Sequence, residues 1–95
     1  PSKSPFSPSE FKLYQNHPNP FNSTTRIRYS LPSPGPTSLI LYDLSGRRVA
    51  DFITDRQTEG IHEFTFQTEN LSSGMYFLVL RHNGRTATQK MLLLK

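Results

Sequence analysis

Short runs of alternating apolar and polar residues follow one another along the chain from Phe11 onward. In the run from Thr25 to Leu31, positions 27, 29 and 31 are apolar, whereas Arg26, Arg28 and Ser30 occupy the positions between them. A period of two is that of a β-strand with one face in the core, so we expect these three polar residues to point outward. Further strands of this kind are predicted over residues 11–15, 37–43, 47–54 and 61–67.

The last quarter of the chain predicts a hairpin against which the rest of the domain packs. Residues Gly74–Leu80 are apolar on both faces, a pattern typical of a central strand that is covered on both sides. Asn83 and Gly84 follow, and this dipeptide favours a type I′ turn because both residues tolerate positive φ. The second arm begins polar and ends on the apolar residues 91–94 before Lys95.

Turn residues separate the predicted strands at short intervals. The glycines stand 10 to 14 positions apart, at Gly35, Gly46, Gly60, Gly74 and Gly84. The strand over 47–54 is the least regular, because Phe52 breaks the alternation and so predicts a bulge. With about seven short strands and no amphipathic helix, the fold that we predict is an all-β, antiparallel, immunoglobulin-like β-sandwich.

An unusual loop, NHPNPFN, spans residues 16–22. Pro18 and Pro20 restrict their own φ angles and push the residues before them away from helical backbone. The asparagine side chains, Asn19 among them, can bond neighbouring backbone in place of the hydrogen bonds that proline cannot donate. We therefore predict an ordered structural loop that places Phe21 in the core, rather than a binding site.

Composition narrows the functional classes. The net charge is +4, but the eleven Lys and Arg residues are spread along the chain, which argues against nucleic acid as a partner. There is no Cys, and hence no disulfide or thiolate chemistry. Residues 1–11 are rich in Ser and Pro, so we predict a linker there and one domain over residues 12–95. Because the chain begins without Met, we expect it to be a piece of a longer protein.

Residues with catalytic potential occur singly. The three histidines, His17, His62 and His82, fall in different predicted elements and lack the paired spacing of metal ligands. The carboxylates are also dispersed, and there is no nucleophile elbow, phosphate-binding glycine loop or dinucleotide motif. We therefore predict that the protein is not an enzyme and uses no cofactor, no metal and no small-molecule substrate.

Five segments of the chain carry a family resemblance. They are LYQNHPNPFN (13–22), TTRIRYSLP (24–32), LYDLSGRRV (41–49), LSSGMYFLVL (71–80) and QKMLLLK (89–95). Together they closely resemble the type A C-terminal sorting domain of the bacterial type IX secretion system, over residues 13–95 in one register. The PNPF loop and the terminal KMLLLK are the specific parts, because YDLSGR and SGMYF also occur in the immunoglobulin-like domain of flagellar hook-cap proteins.

The resemblance implies a non-catalytic sorting signal of the kind found at the C-terminus of secreted enzymes and adhesins of Bacteroidota and related phyla. The cargo, an upstream domain of the same chain, reaches the periplasm through an ordinary N-terminal signal, and the sorting domain then directs it through the outer-membrane translocon. A sortase commonly removes the domain and can join the cargo to surface lipopolysaccharide. The implied partners are therefore the translocon, the sortase and the upstream cargo, and the implied destination is the cell surface or the medium.

The same resemblance suggests which residues matter. A terminal apolar strand flanked by lysines can offer its edge or its side chains to a receptor, which predicts translocon recognition at Lys90, Met91, Leu92, Leu93, Leu94 and Lys95. A core strand is the alternative for residues 91–94, and both interpretations can hold together. Structural roles are expected for Pro18, Asn19, Pro20, Phe21, Gly46, Gly74, Tyr76, Asn83 and Gly84. Cleavage would fall in or before the 1–11 linker, where an unfolded backbone can enter a protease.

A second functional class is an accessory module of a secreted glycoside hydrolase, which binds polysaccharide or packs on the catalytic domain. Such modules stack sugars on exposed aromatic rings, whereas this chain has no Trp and most of its Phe and Tyr residues fall on inward phases. Tyr42 and Phe77 are the candidates for outward-facing rings. A flat row of exposed rings would favour polysaccharide binding, and buried rings with an accessible last strand would favour sorting.

Overall fold

The computed structural model describes residues 10–68 and 70–95. The regular secondary structure within these residues consists of β-strands alone, which confirms the all-β prediction. The eight strands are β1 (Lys12–Leu13), β2 (Thr24–Leu31), β3 (Gly35–Tyr42), β4 (Arg48–Ile53), β5 (Arg56–Gln57), β6 (Gly60–Gln67), β7 (Gly74–His82) and β8 (Arg85–Leu93). The described residues accordingly contain no helix that is long and apolar enough to cross a membrane.

The strands form two antiparallel sheets that enclose the core between them. One sheet has the order β1-β2-β6, and the other places β4, β3, β7 and β8 side by side, with β5 on the first residues of β3. The sandwich-like arrangement agrees with the prediction, whereas its immunoglobulin-like character stays a prediction. Residues 1–9 of the predicted linker lie outside the described residues. Phe11, at the end of that linker, stacks on His82 with their ring centroids 6.4 Å apart.

The core consists of the inward residues of both sheets. Ile27, Tyr29 and Leu31 are fully buried, as the alternation predicts. They face the buried residues of the second sheet, which are Leu39, Leu41, Tyr76, Leu78, Leu80, Met91 and Leu93. Burying each large apolar side chain contributes on the order of 1.5–3 kcal/mol, so these two rows supply most of the stabilisation.

Ser30 has the outward phase predicted for it in β2, but it is fully buried, which the alternation did not predict. The residue lies in the middle of its sheet, opposite Lys12 of β1 on one side and Ile61 of β6 on the other. A small side chain between two long ones is covered by them, even on the outward face of a sheet. Its hydroxyl is buried without a hydrogen-bond partner within the described residues.

The prediction for β7 holds on one face only. The strand is central, between β3 and β8, and Tyr76, Leu78 and Leu80 on its inward face are buried. On the outward face Phe77 and Val79 are half-buried, and no further layer of the described residues covers them. Neighbouring strands of the same sheet provide the partial cover, because side chains directly opposite each other on paired strands are in contact.

The remaining differences concern short elements. The irregularity predicted near Phe52 is confirmed, because the pairing of β3 with β4 shifts register in two places. The predicted turn over residues 32–36 ends earlier, since β3 begins at Gly35, and the polar loop over 55–60 contains the two-residue strand β5. The hairpin turn is as expected, with φ angles of 48° at Asn83 and 81° at Gly84.

Tyr29 makes the stability of the fold sensitive to alkaline pH. Burial raises the pKa of its phenol to about 12, and the negative charge of Asp55 adds to the increase. The phenol of an unfolded chain has a pKa of about 10, so the folded state holds this proton more tightly. The resulting stabilisation is complete below pH 10 and is lost as the pH rises to about 12. Two pKa units correspond to about 2–3 kcal/mol of unfolding free energy.

We expect urea unfolding, followed by circular dichroism, to show this loss between pH 10 and 12. The Tyr29→Phe variant removes the titrating hydroxyl, so its free energy of unfolding should fall less steeply over the same range. It also removes the hydrogen bond from the hydroxyl to Gln57 Oε1, which is 3.1 Å long, so the variant should be less stable at neutral pH. An equally steep alkaline decline in both proteins would contradict the assignment to Tyr29.

Candidate functional site

Residues 90–95, which we call the terminal segment, were predicted to form one site. In the structure their side chains divide into a buried and an exposed group. Met91 and Leu93 are fully buried in the core. Lys90, Leu94 and Lys95 are exposed, and Leu94 retains 52% of its accessible surface. Leu92 lies between these extremes and is half-buried. The division follows the strand period of two, so a core role and a recognition role fall on alternate residues of the same strand.

The proline-containing loop lies along the outer edge of β8. The Phe21 N–H donates to the Leu92 carbonyl oxygen over 3.0 Å, and the Leu94 N–H donates to the Phe21 carbonyl oxygen over 2.9 Å. The Leu92 N–H donates to Asn19 Oδ1 over 2.9 Å. The edge that the sequence analysis considered available to a receptor is therefore occupied around residues 92–94.

Other hydrogen bonds hold the two ends of the terminal segment, at Lys90 and at Lys95. Gln15 Nε2 donates to the Lys90 carbonyl oxygen over 2.8 Å, and the Lys95 N–H donates to Ser73 Oγ over 2.8 Å. Further along the strand, Gln89 Nε2 donates to the Leu13 carbonyl oxygen over 3.0 Å. The last strand is therefore docked in this structure, and its exposed side chains have a defined direction.

Side-chain hydrogen bonds within the loop support the segment that contacts β8. Asn16 is buried, and its Nδ2 donates to the Pro18 carbonyl oxygen and to Thr25 Oγ1 over 3.0 and 2.9 Å. Thr25 Oγ1 donates in turn to the Pro18 carbonyl oxygen over 2.9 Å. The peptide bonds before Pro18 and Pro20 are both cis. Phe21 leaves this loop as a core residue that is 2% exposed, 6.4 Å from the ring of Phe66.

Two of these contacts involve polar residues that sequence reasoning did not single out. Gln15 and Gln89 connect segments that are 75 and 76 positions apart in the sequence. Asn16, in contrast, bonds the nearby Pro18 carbonyl, as expected of the asparagines in this loop.

Gly74 and Tyr76 lie beside the terminal segment. Gly74 is opposite Leu93 in the β7–β8 pairing, and its φ angle of 153° lies in the region that favours glycine. Tyr76 is opposite Met91 and is buried, and its hydroxyl donates to the Ser72 carbonyl oxygen over 2.7 Å. Both residues support the strand that β8 pairs with.

Gly46 belongs to the turn between β3 and β4, where its φ angle is 86°. Asp43 organises this turn, because its Oδ1 accepts hydrogen bonds from the Ser45 hydroxyl and from the N–H groups of Ser45 and Arg47. The Ser45 hydroxyl and then the Arg47 N–H lower the pKa of the Asp43 carboxyl, since both stabilise its charged form. The turn is therefore a structural Asx-type element.

The three histidines occupy separate environments. The buried His82 places Nδ1 2.8 Å from Thr37 Oγ1, and His62 stacks on Tyr29 with ring centroids 5.0 Å apart. His17 is exposed, and its backbone pairs with Arg26. Within residues 10–68 and 70–95, no three or more His, Cys, Asp or Glu side chains come close enough together to hold a metal ion.

The aromatic rings do not form a flat exposed row. All of the Phe and Tyr side chains that the structure describes are buried or half-buried. Phe52, Phe64 and Phe66 form a half-buried cluster beside a cavity of about 480 Å³, but the Phe52 ring is inclined at 58° to Phe64 and 70° to Phe66. Tyr42 and Phe77 face outward and are half-buried. This arrangement gives no support to polysaccharide stacking.

A family model described as the secretion system C-terminal sorting domain matches residues 15–94. This range includes both the proline-containing loop and β8, the two segments that hydrogen-bond each other. A search of curated proteins finds no match to the chain.

Proposed function

The chain belongs to the family of C-terminal sorting domains of the type IX secretion system, and from this premise we propose that the translocon recognises the exposed side chains of residues 90–95. The family assigns the domain to a secreted protein of the cell surface or the medium. The proposal concerns which side chains of the sorting domain the translocon contacts. Lys90, Leu94 and Lys95 are the residues of the terminal segment that a receptor can reach without unfolding the domain.

The division of the terminal segment is the observation that carries this proposal. Met91 and Leu93 anchor the strand in the core, so the exposed residues before and after them are presented on a fixed backbone. A rigid surface loses less conformational entropy on binding than a flexible tail does. The exposed residues combine an apolar side chain with two ammonium groups, which suits a receptor that has an apolar contact next to acidic side chains.

The loop contacts favour recognition of side chains over addition of a receptor strand. Strand addition needs unpaired backbone groups at a sheet edge. Phe21 and Asn19 already bond the backbone groups of Leu92 and Leu94 at this edge. A receptor strand would have to displace the proline-containing loop, whereas the side chains of Lys90 and Leu94 are accessible in the folded domain.

The proposal also includes the path of the cargo protein from the cytoplasm to the cell surface. The upstream cargo crosses the inner membrane by its own N-terminal signal and passes through the periplasm before the translocon exports it. A sortase then cleaves in or before residues 1–11 and attaches the cargo to the surface. The Ser and Pro content of that segment supports this position, because an extended substrate fits a protease active site. The domain itself acts without catalysis.

An export assay tests the recognition step. The chain is fused behind a periplasm-targeted reporter in a host with an active type IX system. The test variant carries Lys90→Thr, Leu94→Thr and Lys95→Ser, which change exposed side chains and leave Met91 and Leu93 in place. We expect the exported fraction to fall at least about tenfold, because about 1.4 kcal/mol of lost binding has that effect. Immunoblots of medium, surface and periplasm measure the distribution.

The matched control carries Lys12→Thr, Arg26→Ser and Ile61→Thr on the other sheet, which also replace two cations and one exposed aliphatic side chain. It should be exported like the unmodified fusion, and circular dichroism should show that both variants fold. Undiminished export of the terminal variant would refute recognition through these side chains. Periplasmic retention of the unmodified fusion, while the host exports its own substrates, would refute the sorting role in that system.

A further inference from the structure

The outward face of the four-strand row β4-β3-β7-β8 carries an apolar band. Tyr42 lies opposite Phe77, Ile40 opposite Val79, and Met75 opposite Leu92. Each of them alternates along its strand with core residues such as Leu41, Leu78 and Met91, so these six side chains point away from the core. Ile40 is only 3% exposed because its neighbours cover it, whereas the other five side chains of the band are half-buried. We call this set, with the cations around it, the outer face.

Cationic side chains surround the apolar band. Arg48 of β4 is opposite Tyr42, Arg81 of β7 is opposite Ser38, and Lys90 of β8 is opposite Phe77. The Arg81 and then the Arg48 guanidinium groups lower the pKa of the Tyr42 phenol, because both stabilise its charged form. Asp51 lies 3.3 Å from Arg48 and neutralises one of these charges. The outer face therefore keeps a positive charge around an apolar centre.

The outer face continues into the terminal segment. Lys90 and Leu92 belong to both, and the exposed Leu94 follows with the same alternation. A receptor that contacts Lys90 and Leu94 from solvent therefore approaches the sheet from the side on which Phe77 and Val79 lie. The proposed recognition site is continuous with a larger surface that comes from four strands.

We infer that the translocon binds the whole outer face, through a protein surface that has acidic side chains around an apolar centre. This inference rests on the proposed recognition of β8 and extends it to Arg48 and Arg81. The cations of the outer face require a partner surface of opposite charge, and the continuity of this face with Lys90 and Leu92 makes the translocon the occupant that we infer. A second copy of the domain is a poorer occupant, because a two-fold contact through this face would bring the same cations together.

Charge reversal outside the terminal segment separates this inference from the proposed function. The fusion carrying Arg48→Glu and Arg81→Glu keeps the entire 90–95 sequence. Its exported fraction should fall at least about tenfold, because like charges would then face each other across the contact. A fusion with Arg48→Lys and Arg81→Lys should retain most of its export, since the charges are preserved.

The matched control reverses Lys12→Glu and Arg26→Glu on the outward side of the other sheet and changes the net charge equally. We expect normal export, and thermal unfolding should show that every variant is folded. Normal export of the Arg48 and Arg81 reversal, while the terminal variant is retained, would overturn the inference and leave the proposed function standing. Equal loss in the Lys12 and Arg26 control would also overturn it, because net charge alone would then explain the effect.

The apolar centre has its own test. Val79→Thr keeps a β-branched side chain of similar size but places a hydroxyl in the band. Export should fall several-fold, whereas Ile61→Thr on the other sheet should have no effect. If Val79→Thr is exported normally, the contact does not reach the centre of the face and the inference is wrong.

Discussion

The Phe21→Ala variant should lose about 3–5 kcal/mol of unfolding free energy, the usual cost of truncating a buried phenylalanine. Phe21 is 2% exposed, and its backbone bonds both Leu92 and Leu94. Loss of its ring leaves a cavity and releases the loop that covers the edge of β8. A domain of this size has a total stability of only about 5–10 kcal/mol, so the variant should lie near the limit of folding. Urea unfolding measures the change.

Hydrogen exchange distinguishes the two consequences of the Phe21 substitution. The Leu94 N–H, which donates to the Phe21 carbonyl oxygen, should exchange faster in the variant than in the unmodified chain, relative to N–H groups within β7. The control is Leu44→Ala, because Leu44 is 69% exposed and its truncation should change stability by less than about 0.5 kcal/mol. A loss below about 1 kcal/mol for Phe21→Ala would show that the ring is not an anchor of this loop.

Truncation of Leu93, the last residue of β8, and of the adjacent Leu94 should have opposite effects on stability and on export. Leu93→Ala should cost about 2–5 kcal/mol of unfolding free energy, because Leu93 is fully buried in the core. Leu94→Ala should cost less than about 0.5 kcal/mol, because that side chain is 52% exposed. The effect on export should be the reverse: Leu94→Ala should reduce it more than Leu93→Ala, since of these two residues Leu94 is the one proposed to contact the translocon. The same residue type one position apart provides its own control.

The export comparison is made at a temperature where circular dichroism shows Leu93→Ala to be folded. Under that condition Leu93→Ala should be exported normally and Leu94→Ala should be retained in the periplasm several-fold more. If both variants lose export in proportion to their loss of stability, the terminal strand acts only through the fold. This result would support the core interpretation of residues 91–94 alone.

Strand prediction succeeded where the pattern was local. The structure contains the predicted strands β2 and β6 and the predicted turn at Asn83-Gly84. Each of these predictions depended on a few consecutive residues. The burial of Ser30 was not predicted, because it depends on Lys12 and Ile61, which belong to neighbouring strands. The outward face of β7 was misjudged for the same reason, since apolar side chains can be partly covered by their own sheet.

The proline-containing loop was predicted to be ordered, but its partner was not predicted. Asn19 and Leu92 are 73 positions apart, and their hydrogen bond depends on how the chain returns to the edge of β8. No pattern within either segment encodes that distance. The resemblance identified both segments as specific to the family, and the structure supplies a physical reason why they occur together.

The sequence by itself determined that the chain forms strands, where the turns fall and which family it belongs to, because each follows from neighbouring residues or from matched motifs. Only the tertiary structure decided which terminal side chains face outward. Residues 91–94 are all apolar, so their sequence carries no polar marker for the inward or outward phase. The pairing of Met91 with Tyr76 and of Leu93 with Gly74 sets that phase. It leaves Lys90, Leu92 and Leu94 on the opposite side, where a partner can contact the exposed Lys90 and Leu94.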